Sequence, residues 1–117
     1  MAAAPAGWPR DLPPPGTPEF DERVTSWLLD RGPEGLRTSD LRHLPHALAR
    51  VVDHFVAGAL QGMRQAYATA RGDLADTVEP DELTRVLVAL EAEGARLLQV
   101  QREVRIVGRH VAAGRSS

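Results

Sequence analysis

PDELTRVLVALEAEGARLLQVQREVRIVGRHVA, residues 80–112, carries the pattern that decides the fold of this 117-residue chain. Leu83, Val86, Leu90, Glu93, Leu97, Val100, Val104, Val107 and Val111 recur in alternating steps of three and four, which is the repeat of one face of an α-helix. Only Glu93 breaks the apolar run. Pro80 suits a first helical position, where its missing N–H costs nothing, and Asp81 and Glu82 set negative charge against the positive end of the helix dipole. A helix over 80–112 spans about 50 Å at roughly 1.5 Å per residue. Ala112-Ala113-Gly114 is where the pattern stops.

Upstream, Pro45 opens a second long helix and no proline follows until Pro80. Leu48, Val52, Phe55, Ala59, Gly62, Ala66, Ala70 and Leu74 form its main stripe, and Val51, Val56, Leu60, Met63 and Tyr67 widen it. This helix is read as residues 45–75. The short link through Asp76-Thr77-Val78-Glu79 forces the two long helices to run antiparallel. A third, shorter helix precedes them. Thr17 caps it, Pro18 starts it, and Phe20, Val24, Trp27 and Leu28 share one face. Arg31-Gly32-Pro33 ends it, so its range is 18–31. The connector 32–44 has Leu36, Leu41 and Leu44 as anchors, with Ser39 or Asp40 able to cap a single turn. The fold class is therefore all-α: a long antiparallel helical hairpin, 45–75 and 80–112, with the short helix 18–31 packed on it.

Residues 1–16 read as a Pro-rich flexible tail and 17–114 as a single helical domain. Pro5, Pro9, Pro13, Pro14 and Pro15 crowd the tail, and proline withholds a backbone donor while holding its predecessor extended. Removing the tail is expected to leave stability nearly unchanged, unless Trp8 docks in a groove.

Composition narrows the function. There are 14 basic residues, all Arg, against 16 acidic ones, for a formal charge of −2, so affinity for nucleic acid cannot rest on overall charge. With no Cys, disulfides, thiolate catalysis and Cys-ligated metals are excluded. The Arg-for-Lys bias follows from a GC-rich coding sequence and is not a functional choice. A basic start followed by an apolar run is lacking, as is any apolar stretch of membrane-spanning length. The expected location is cytoplasmic, with no membrane partner.

Trp27-Leu28-Leu29-Asp30, Ala66-Tyr67-Ala68-Thr69-Ala70-Arg71 and Leu90-Glu91-Ala92-Glu93-Gly94-Ala95-Arg96-Leu97 resemble segments of uncharacterised small helical-hairpin proteins of high-GC bacteria. That resemblance covers most of residues 17–110 and implies no activity.

Four groups bear on function. His43, His46 and His54 lie near one another in sequence, with Asp40 and Asp53 beside them. Asp40-x-x-His43-x-x-His46 has metal-ligand spacing, but Pro45 interrupts any helix through it, and solvated histidines are the plainer reading. Arg102, Arg105 and Arg109 share one face and offer a surface to an anionic partner. The dipole explains much of this: residues 77–95 are acidic and 96–117 basic. Glu93 is expected at the seam's edge or paired with Arg64, Arg71 or Arg96. Finally, Leu60, Met63, Tyr67, Leu87, Leu98 and Ile106 widen both seams beyond what one partner helix covers, which points to an interface.

No Gly-x-Ser-x-Gly elbow or phosphate-binding Gly-rich loop occurs. The expected function is a non-enzymatic protein–protein interaction or scaffold module without cofactor. It self-associates as a homodimer or binds another helical protein. The alternatives are a nucleic-acid-associated protein using the C-terminal arginine face and a small all-helical enzyme binding an anionic ligand.

Overall fold

A computed structural model describes residues 3–116, with side chains through Val111. The chain is all-helical: α1 (Pro18–Leu29), two 3-10 turns (Glu34–Thr38 and Asp40–His43), α2 (Pro45–Leu74) and α3 (Pro80–Ser116). The long helices α2 and α3 form an antiparallel hairpin, and α1 packs on it at the end away from the hairpin turn.

Local chemistry sets these boundaries. The Thr17 hydroxyl accepts from the Phe20 N–H at 3.2 Å, capping α1, with Pro18 next in line. At α3 the Glu79 N–H donates to the Glu82 carboxylate at 2.8 Å, the return half of a capping box. The Ser39 hydroxyl accepts from the Leu41 N–H at 3.2 Å and starts the second 3-10 turn. α1 ends at Leu29, two residues before the expected stop. α3 runs past the expected end at 112, through Gly114 to Ser116. Helix propensity alone makes Gly114 a poor stop, since it costs only about 1 kcal/mol against Ala.

The core lies wholly at the α1 end. Phe20, Val24, Trp27, Leu28 and Leu29 of α1 meet Leu48, Ala49, Val52, Val56 and Leu60 of α2 and Leu97, Val104 and Val107 of α3. An added Cβ at Gly32 would lie 3.1 Å from both Leu36 and Val52 side-chain atoms, so the connector folds tightly onto α2. At Gly108 such a Cβ would sit 3.4 Å from that of Ala49, which marks close approach of α2 and α3.

Two sequence expectations change here. The α2 stripe is rotated: Val56 and Leu60 are buried while Phe55, placed on the seam, is 43 % exposed. Val52 faces the connector and Ala49 faces α3, so the buried stripe lies between two neighbours and Phe55 falls outside both. The second change concerns residues 1–16. Instead of a flexible tail, residues 7–16 dock on the domain, and Leu12 is 4 % exposed. Trp8 packs against Phe20 (ring centroids 5.7 Å) and edge-on against His110 (5.2 Å), and its indole N–H donates to the Leu12 and Pro13 carbonyls. Gly7, at φ +80°, brings the chain over α3, where an added Cβ would meet Ile106 at 3.0 Å. Proline-rich backbone makes few internal hydrogen bonds, but its aromatic and aliphatic side chains still bury when a groove accepts them.

Beyond Leu60 on α2 and before Leu97 on α3, Ala70 is the one described residue classed as buried. This distal half is a bare two-helix hairpin. The radius of gyration is 17.5 Å, against about 13 Å for a compact domain of this length.

Candidate functional site

Three surfaces follow from that architecture. The first is a groove of about 450 Å³ along the distal hairpin, with Leu60, Met63, Arg64 and Tyr67 on one wall and Leu90, Glu91, Gly94, Ala95 and Leu98 on the other. Four of the six interface residues expected from sequence line it: Leu60, Met63, Tyr67 and Leu98. Leu87 is half-buried one turn from Glu91 on the same helix. Ile106 does not join them: it lies eight residues beyond Leu98 on α3, toward the α1 end, where the Gly7 turn lies over it. Helical spacing put Ile106 off the main seam, but the segment that covers it comes from residues read as a tail.

The second surface is the arginine ridge. Arg102, Arg105 and Arg109 are all exposed and together border a shallow groove with Gly7, Gln99 and Ile106. The shared face read from sequence is present.

A third surface was not assembled by sequence reasoning. Between α2 and α3, at the α1 end, His46, Arg50, Asp53 and His54 face Arg105 and Arg109 across a floor of Ala49, Val104 and Gly108. The cleft holds about 450 Å³. Asp53 accepts from Arg105 Nε at 3.1 Å. His46, Arg50 and His54 recur every four residues, a signal visible in the sequence. Pairing them with α3 needed the hairpin register, which Asp53–Arg105 reveals. His43, by contrast, is exposed in the second 3-10 turn. Among the described residues no three His, Asp or Glu side chains stand together as metal ligands would.

The remaining polar contacts are structural. Glu93 pairs with Arg96, one of its three expected partners, through Nε at 2.8 Å and Nη2 at 2.6 Å. These bonds hold the Glu93 carboxyl below its ordinary range. Asp11 clips the docked N-terminal segment to α1. Its carboxylate accepts from Trp27 Nε1 at 2.8 Å and from Arg31 Nη2 at 2.7 Å. The Arg31 guanidinium also lies 3.8 Å over the Trp27 ring. Burial pushes the Asp11 carboxyl up, but the bonds from Trp27 and Arg31, with the Arg31 charge, outweigh it and hold the carboxyl below its ordinary value.

No helix among the described residues is long and apolar enough to cross a membrane. Compared with known proteins, the chain matches no family model, no curated protein and no solved structure.

Proposed function

We propose that this chain is a non-enzymatic protein–protein interaction module that self-associates, two hairpins packing their distal halves into a four-helix bundle. The observation that carries this is the open groove on a half-hairpin with almost no core of its own. The whole chain's solvent-accessible surface is 7640 Å², whereas a folded 12.7 kDa monomer exposes about 6,200 Å². The excess, roughly 1,400 Å², exceeds the roughly 800 Å² per partner of a standard interface.

A second copy suits the groove by chemistry as well as by area. A two-fold contact is self-complementary, so each patch must carry what the other needs. Leu60, Met63 and Tyr67 on α2 answer Leu90 and Leu98 on α3, and Arg64 on one wall balances Glu91 on the other. Gly94 and Ala95 leave room for a helix to approach closely.

Tyr67→Glu tests the reading. Tyr67 is 38 % exposed in the single chain, so the fold tolerates the change, while a desolvated carboxylate in the bundle centre is costly. The wild type is expected to elute as a dimer and the variant as a monomer with unchanged circular dichroism. A variant that remains dimeric places the contact elsewhere.

A further inference from the structure

We propose that the cleft between α2 and α3 at the α1 end is a binding site for a small phosphate-bearing anion. The argument begins with charge. The molecule carries −2 overall, yet Arg50, Arg105 and Arg109 converge on this cleft against the single carboxylate of Asp53. The three arginines and Asp53 together carry a formal local charge of +2. Three guanidiniums gathered from two helices repel one another, and a bound dianion removes that repulsion.

Geometry points the same way. Asp53 holds Arg105 through Nε at 3.1 Å, which leaves the Nη groups of that guanidinium to donate. The carboxylate thus fixes the direction of one donor fork without consuming it. Arg50 on the α2 wall stands opposite Arg105 and Arg109 on the α3 wall, so guanidinium donors come from both helices. A phosphate group, with three terminal oxygens, accepts from both walls at once, and guanidinium forks match its geometry.

The floor strengthens these contacts. Ala49 and Val104 are buried apolar residues, and the small Gly108 lets the helices close beneath the cleft. Charges over an apolar floor are screened less than charges in open water. A volume of about 450 Å³ lies within the range of roughly 300–1,000 Å³ typical of small-ligand sites and exceeds what a lone phosphate needs.

A nucleic-acid backbone would share Arg105 and Arg109 with the cleft but would add a third arginine. It would run along the outer ridge and engage Arg102, which borders the outer groove and not this cleft. The site shares no residue with the self-association groove, so it stands or falls independently of the oligomeric state.

Pyrophosphate is the probe, titrated calorimetrically into the full chain at about 150 mM salt, where exposed long-range charge effects are largely screened. Binding is expected at micromolar to sub-millimolar concentration, with amide shifts in α2 and α3 centred on Arg50 and Arg105. Arg50→Gln and Arg109→Gln should each weaken it about tenfold or more, and Arg102→Gln should leave it within about twofold. All three positions are exposed, and circular dichroism confirms that each variant is folded. The proposal is overturned if pyrophosphate fails to bind at millimolar concentration. It is also overturned if Arg102→Gln costs as much as Arg109→Gln, or if duplex DNA competes with a steep salt dependence, since either result assigns the arginines to a polyanion on the ridge.

Discussion

Replacing Trp27 by alanine tests how the short helix and the N-terminal segment are held. Trp27 is 4 % exposed; a buried Trp removes about 150–250 Å² from water, and at about 25 cal/mol per Å² this is worth roughly 4–6 kcal/mol. Alanine retains a small part of that burial, so the expected loss is about 3–5 kcal/mol. The Asp11 hydrogen bond and the Arg31 stacking go with it, although both partners keep access to water and their loss adds little. A domain of this size is stable by roughly 5–15 kcal/mol, so the change removes a large share. In urea, with a slope of about 2 kcal/mol per M, the unfolding midpoint should fall by about 2 M. Trp27→Phe keeps most of the aromatic packing but loses the second ring of the indole and the N–H donated to Asp11, so it should cost about 1–2 kcal/mol. A loss below about 1.5 kcal/mol for Trp27→Ala would refute the burial argument, as would solvent-like Trp27 emission in a Trp8→Phe background.

Three more outcomes follow from particular contacts. Deleting residues 1–16 removes Leu12 and Trp8 from the core and should lower the thermal midpoint by roughly 10–20 °C; a drop of only a few degrees would mean the segment is not docked. Because the folded Asp11 carboxyl lies below its ordinary value of 3.8, its contribution is complete above the carboxylate range and is lost as pH falls through the depressed folded value. An acid titration followed by tryptophan fluorescence should therefore show a transition below pH 3.8 that Asp11→Asn removes, and superimposable curves for the two proteins would contradict the clip. Gly58 and Gly62 sit in α2 with open space where a Cβ would go, so Gly58→Ala and Gly62→Ala should each stabilise by about 0.4–1 kcal/mol; a loss instead would reveal a helix packed against that face.

The sequence made the hairpin legible because its signals agreed. Pro45 and Pro80 both sit at first helical positions, acidic residues follow Pro80, and the α3 stripe keeps one period from Leu83 to Val111. What it hid depends on who packs against whom. Phe55 and Val56 both fit a helical stripe, and only the placement of α1 beside α2 selects Val56 for the interior. The Pro-rich segment has no period to read, so the docking of Trp8 and Leu12 is visible only once a groove between α1 and α3 exists. The cleft was obscured for a related reason. Grouping His54 with His43 and His46 by sequence distance gave only solvated histidines weighed against a metal site, whereas helical spacing sets His46, Arg50 and His54 on one wall and hairpin register brings Arg105 and Arg109 opposite.

Self-association is the central claim, and sedimentation equilibrium of the wild-type chain across the micromolar range tests it most directly. The account predicts a mass twice the 12.7 kDa of the single chain, shifting to one chain on dilution or in Tyr67→Glu. A wild-type species that stays at the mass of one chain throughout that range would contradict it.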